Sequence, residues 1–222
     1  MSHFENDFIE FFKELSHNNK KEWFHANKKR YEKLVKEPFK AFVDQMIFMI
    51  KTVEPELEME TKQAMFRINR DIRFSKDKSP YKTHVAANIS KGGRMSPKHP
   101  GFYFQLSNQG VLIGGGAYQL EKEGLYNVRC RLAKEPEQID KLLADRKFKK
   151  RFGKIQGEKN KRLPKEFQAA NETQPLIANK QFFFMAELPP EAILDPQLPT
   201  ILMDHYLTGK PLNDYLENAI RG

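Results

Sequence analysis

The stretch Gly101-Phe102-Tyr103-Phe104-Gln105-Leu106-Ser107-Asn108-Gln109-Gly110-Val111-Leu112-Ile113-Gly114-Gly115 decides the fold class. Phe102 and Phe104 alternate with Tyr103 and Gln105, the period of two that a half-buried strand requires. Ser107-Asn108-Gln109-Gly110 is rich in turn formers, and a connection this short joins antiparallel neighbours. Residues 64–68, 84–90 and 182–188 read as further strands, each short and bounded by Gly, Pro, Asn or Ser. On the N-terminal side the period changes. Phe8, Phe11, Phe12 and Leu15 fall at helical spacing. A second helix is expected from Asn19 as N-cap, with Glu22 completing a capping box. A third buries Phe39, Val43, Met46, Ile47 and Ile50, with Pro38 at a break or in its first turn. On the C-terminal side helices are expected over 121–133, from Pro136, over 200–207 and over 211–220, with 147–165 a basic loop. The expectation is one α+β domain over residues 1–222: helical over 1–60, strand-rich over 61–117 and mixed over 118–222. Its sheet is mostly antiparallel and flanked by N-terminal and C-terminal helices, with no linker.

Composition bounds the rest. The 222 residues include 18 Phe, enough to fill a core of this size. A single Cys excludes a disulfide framework and a Cys-based zinc site. The six His form no metal-binding spacing, so neither a metal nor a cofactor is expected. No apolar run approaches a membrane span, and residues 1–7 lack the pattern of a signal peptide. The expectation is a soluble, cytoplasmic protein with no membrane partner. The net charge of +9 is uneven: residues 61–117 and 118–165 carry +8 each, while 1–60 carry −2 and 166–222 carry −5. A basic middle between acidic ends points to an anionic partner, or to ends that fold back and neutralise the middle.

The densest chemistry runs Arg67-Ile68-Asn69-Arg70-Asp71-Ile72-Arg73-Phe74-Ser75-Lys76-Asp77-Lys78-Ser79-Pro80-Tyr81-Lys82, six bases and two acids in sixteen positions. Interleaved Ile and Phe imply partial burial, and a buried guanidinium needs a carboxylate or a bound anion. Arg presents a planar fork matched to phosphate or carboxylate. Arg67, Arg70, Asp71, Arg73, Lys78, Tyr81 and Lys82 are therefore the candidate ligand-binding residues, with Asp71 orienting one Arg and Tyr81 offering a hydroxyl. No catalytic group is identified; Asp71, Asp77 and His84 are the only nearby candidates for a base.

The string Arg67-x-x-Arg70-Asp71-x-Arg73-Phe74, with Asp77, Lys78 and Tyr81, resembles the signature of an uncharacterised, mainly bacterial family, domain of unknown function 2461. Residues 18–24 with Asn27 and Tyr31, residues 100–104, and Leu163-Pro164-Lys165-Glu166-Phe167 with Pro175, Leu176 and Lys180 extend the similarity over nearly the whole chain. The resemblance implies no reaction. It implies that Arg67, Arg70, Asp71, Arg73, Phe74, Asp77, Lys78 and Tyr81 are the positions to test.

Other motifs carry less. Gly114-Gly115-Gly116 lacks the flanking residues of a phosphate loop and reads better as a bulge or a close backbone approach. Tyr118-x-x-x-Lys122 lacks a dinucleotide fingerprint. Cys130 reads as a half-buried thiol. The run 147–165 is strongly basic, but Phe148 and Phe152 sit four apart and suit a buried helix face. Three readings stay open. The first is a pocket protein, with or without enzymatic activity, that binds an anionic small molecule through the Arg cluster. The second is a nucleic-acid-binding module using 67–98 and 147–165. The third is an Arg–Asp cluster that only holds the fold. Oligomeric state is not legible.

Overall fold

The Phe spacing of the first segment becomes α1 (Asn6–His17), whose Phe8, Phe11, Phe12 and Leu15 are fully buried. The computed structural model describes residues 2–222. After α1 come α2 (Lys21–Ala26) and α3 (Lys28–Tyr31), which passes through a π turn at Glu32–Lys36 into α4 (Glu37–Lys51). Pro38 has no N–H for the carbonyl four residues back, and its ring crowds that carbonyl. The widened turn just before it absorbs both problems, so the helical path continues through the proline. α5 (Thr61–Ala64) closes the helical segment.

The sheet has four strands: β1 (His84–Ile89), β2 (Gly101–Ser107), β3 (Gly110–Ala117) and β4 (Phe182–Leu188), in the order β1-β2-β3-β4. The Ser107 Oγ accepts from the Gln109 amide at 3.1 Å and shapes the β2–β3 turn. β4 runs antiparallel to β3. A Cβ on Gly110, Gly114 or Gly116 would strike the carbonyl oxygens of Leu188, Phe184 and Phe182 in turn, so the two strands count in opposite directions. The glycine run therefore serves close strand approach, and Gly116 also needs its φ of +103°. The fold is α+β with an antiparallel sheet and helices at both ends.

Two compact units are discernible: residues 1–89, 103–113 and 187–203 form the first, and 90–102, 114–186 and 204–222 the second. Several boundaries fall inside strands or a helix, not in linkers. In the first, Phe4 lies 5.3 Å from Phe42, and Phe42 and Phe39 lie 5.7 and 6.0 Å from Phe104 on β2. Fully burying one such ring is worth roughly 1.5–3 kcal/mol, so this aromatic cluster contributes substantially to its stability. In the second, α6 (Lys122–Lys134), α7 (Pro136–Ala144), α8 (Arg146–Phe152), α9 (Lys165–Thr173), β4 and the end of α10 (Leu198–Arg221) supply the core. Val128, Leu132 and Ile139 are fully buried there, and Phe148, Phe152 and Phe184 pack with centroids 4.7–5.4 Å apart. Arg129 is buried and pairs with no carboxylate among the described residues. Its Nε donates to the Ile177 carbonyl at 2.9 Å and its Nη2 to that of Asn179 at 3.3 Å, which caps the 3₁₀ turn Pro175–Ala178.

Three expectations are corrected. Residues 64–68 are not a strand: α5 ends at Ala64, and the following residues pair only through isolated bridges. Residues 147–165 are not all loop, because the buried pair Phe148 and Phe152 holds α8. Residues 200–207 and 211–220 are one helix, α10, running through Pro211. A Cβ at Gly209 would strike the Phe184 ring, so this glycine marks close packing and not a break.

Gly116→Ala is expected to lower stability by at least about 1 kcal/mol, from positive φ and the Phe182 carbonyl together. Urea denaturation should show a lower midpoint with an unchanged slope.

Candidate functional site

The basic motif occupies the far end of a hairpin. Residues 65–70 run antiparallel to 80–87, with bridges Met65–Ala87 and Asn69–Tyr81. The Phe66 amide donates to the Ala86 carbonyl (2.9 Å), the Lys82 amide to that of Ile68 (2.8 Å) and the Arg70 amide to that of Pro80 (2.9 Å). Between the bridges one arm advances four residues and the other six, so the second arm bulges around Lys82 to Val85. Residues 71–79 form the tip.

The root of this hairpin is fixed from the helices. At the Asn69–Tyr81 pair the ladder bonds come from the flanking residues, so the N–H and C=O of Tyr81 face away from the partner arm. Asn19 takes both. Its Nδ2 donates to the Tyr81 carbonyl at 2.9 Å and its Oδ1 accepts from the Tyr81 amide at 3.1 Å. The Tyr81 ring is buried and stacks on Phe24 at 3.9 Å with an interplanar angle of 17°. The expected N-cap role for Asn19 is thus corrected: Lys20 occupies the N-cap of α2, and the Asn19 amide is spent on a residue 62 positions away.

Side chains shape the tip. Arg73 donates from Nε (3.0 Å) and Nη2 (2.7 Å) to the Asp71 carboxylate, which also accepts the Arg73 amide at 3.2 Å. These bonds, with the charges of Arg73 and Arg67, lower the Asp71 pKa to about 2. Asp77 accepts from the Ser79 hydroxyl (2.6 Å) and amide (2.9 Å) and pairs with Arg70. The Ser79 hydroxyl, then Arg70, hold its carboxyl well below the ordinary range. Arg70 also donates to the Ser75 hydroxyl at 3.4 Å. Lys78 Nζ donates to the Ile72 carbonyl (3.0 Å) and Lys82 Nζ to that of Arg67 (2.9 Å).

The seven candidate residues thus lie on one hairpin, but in two settings. Arg67, Asp71, Arg73 and Lys78 are exposed and Arg70 and Lys82 half-exposed, while Tyr81 is buried at the root. The expected partial burial holds at Ile68 and Ile72 and is corrected at Phe74, which projects from the tip with 96% of its surface exposed. The carboxylates that answer Arg70 and Arg73 come from the tip itself, not from the acidic ends of the chain. Arg67, Lys76 and Lys78 meet no carboxylate among the described residues. His84 lies in the bulge. Burial, then the nearby Lys82 charge, lower its pKa to about 4, so it is neutral at pH 7. Among the described residues no three His, Cys, Asp or Glu side chains converge as metal ligands, and no helix is long and apolar enough to cross a membrane.

Sequence reasoning gave Asn19 a different role, missed Ser75, and placed Phe74 inward with Ile68, while Asp77 with Ser79-Pro80 forms the turn that these residue types favour. The signal for Phe74 was present: residues 75–79 contain no apolar side chain to share a buried face with it. In the other basic segment the rings point inward, since Phe148 and Phe152 are buried and Arg151 pairs with Asp204. Its exposed bases, including Lys147, Lys149, Lys150 and Lys154, form a charged surface without an exposed phenyl ring.

Two measurements test this geometry. Asn19→Ala leaves two backbone groups of Tyr81 without their partners and is expected to cost about 1–3 kcal/mol in denaturant unfolding. His84 has a folded-state pKa below its unfolded value, so the unfolded chain takes the proton first. Its contribution is fully present above about pH 6.5 and is lost as pH falls toward 4. The stability difference between the wild type and His84→Gln should shift in that window, in the sense that acid penalises the wild type more.

No curated protein and no solved structure matches this chain. A family model described as a conserved hypothetical protein (DUF2461) matches residues 7–215, a span that contains α2 to α9, all four strands and the entire basic hairpin. The chain belongs to the DUF2461 family.

Proposed function

We propose that the hairpin over residues 67–82 binds a phosphate- or carboxylate-bearing partner. The observation that carries this reading is a charge excess on a hairpin whose tip is already held in shape: six bases against two acids over residues 67–82. Asp71 and Asp77 pair with Arg73 and Arg70, and Arg67, Lys76 and Lys78 form no ion pair among the described residues, Arg67 acting on Asp71 through its charge alone. Exposed cations need no partner for stability, because water solvates them. Gathered on one projecting loop, they raise the local concentration of anions and speed their encounter. Asp71 orients the Arg73 fork, Arg67 and Lys78 supply further positive charge, and Tyr81 with Asn19 fixes the root from which the tip projects. Ordering before binding reduces the entropy lost on association.

A second reading has its own support. The two Arg–Asp pairs give the tip its shape, which is all that a purely structural cluster would do. Arg67→Ala separates the two, because the Arg67 side chain is exposed and makes no ion pair among the described residues. Inorganic phosphate, titrated at constant ionic strength against chloride, is expected to raise the melting temperature of the wild type. Arg67→Ala should keep the wild-type melting temperature without phosphate and lose most of the increment with it. A protein that phosphate never stabilises, or a variant that responds as the wild type does, would favour the structural reading.

A further inference from the structure

We infer that the partner of this tip is a single-stranded nucleic acid, with a base stacked on Phe74 and the phosphates running along the hairpin cations. This rests on the anion-binding reading above and names the class of anion. Phe74 is the reason. It is the most exposed of the exposed large apolar side chains, at 96%, and buries nothing in either core. Neither strand pairing nor packing requires a phenyl ring there. The Arg73 guanidinium lies over it, 5.8 Å from the ring centroid. A flat apolar face flanked by a cation is what a splayed base stacks on, and every base offers such a face.

The placement of the charges favours a linear anion. Arg67, Arg70 and Lys82 sit where the arms pair, and Arg73, Lys76 and Lys78 around the tip. The eight residues from Arg67 to Phe74 span seven steps and reach at most roughly 24 Å, the length of a few nucleotides. A small oxyanion would use a cluster and not a line. An anionic membrane would meet the hairpin end on, which leaves the arm cations unused and drives Asp71 and Asp77 toward the lipid. A duplex keeps its base faces stacked and offers none to Phe74.

The test is a fluorescence-anisotropy titration of the full chain with a labelled mixed-sequence 12-nucleotide single strand at two salt concentrations. Unlabelled duplex, inorganic polyphosphate and vesicles containing anionic phospholipid serve as competitors. The single strand is expected to bind more tightly than duplex or polyphosphate. Phe74→Ala should weaken it on the order of ten- to a hundred-fold without changing the salt slope. Arg67→Ala should instead reduce the slope by about 0.7. Phe74→Trp should retain binding, with its fluorescence quenched on saturation. Equal competition by polyphosphate, or a Phe74→Ala variant that binds like the wild type, would overturn the nucleic-acid assignment and leave anion binding standing. Competition by vesicles with no direct binding of the strand would replace it with a membrane surface. If phosphate, polyphosphate and oligonucleotide all fail to bind, the anion-binding reading falls as well.

Discussion

The candidate site depends on the two hydrogen bonds between the Asn19 side chain and the backbone of Tyr81. A hairpin arm presents alternate N–H and C=O groups on its outer edge, and in a projecting hairpin those groups face water or another chain. An amide side chain carries one donor and one acceptor at nearly the spacing of a peptide group, so Asn19 completes Tyr81 as a neighbouring strand would. The 3.9 Å stack of Tyr81 on Phe24 adds apolar contact at the same point. Together they anchor one residue of the second arm to the helical segment. Pro80 follows from this anchor toward the tip and restricts the backbone there. The tip can therefore be mostly polar and still hold one conformation, because its order does not come from burial.

Electrostatics reinforces that order locally. Asp71 and Asp77 each bind the chain two residues ahead as well as an Arg, and so act as turn formers and counter-charges at once. As ion pairs on the surface they contribute little to stability. Their consequence is geometric: two guanidinium groups are oriented, while Arg67, Lys76 and Lys78 meet no carboxylate among the described residues. The net excess thus survives folding. A sequence with the same charges and a buried Phe74 would have needed more acids, since desolvation would have made each unmatched Arg costly.

Much of the fold was legible because it follows local periodicity. β2 and β4 appear at the residues the alternation marks, and α1 buries the four residues its spacing selects. The failures share a cause, which is that distant contacts overrode local preference. Asn19 is a good N-cap by type, but a partner 62 residues away uses its amide. Gly209 and Pro211 look like a helix end, but packing on Phe184 keeps α10 continuous. Residues 64–68 are extended in part but pair with a bulged arm, so no regular strand results. At the site, the identity of the charged residues was legible and their exposure was not. Apolar neighbours in sequence imply burial only where a repeating element carries them to one face, and the tip has no such element.

The contrast between the two basic segments makes the same point in functional terms. Both combine Arg and Lys with Phe, and composition alone treats them alike. In 147–165 the helical period of α8 turns Phe148 and Phe152 inward, where each gains core burial, and the bases are left as a solvated face. In 67–82 no period exists at the tip, Phe74 gains no burial, and its ring stays in water beside Arg73. A buried ring contributes to folding and offers nothing to a ligand. An exposed ring contributes almost nothing to folding and keeps its face in water. Of the two basic segments, the hairpin is the one that joins a charge excess to an exposed phenyl face, and the proposed binding rests on that conjunction.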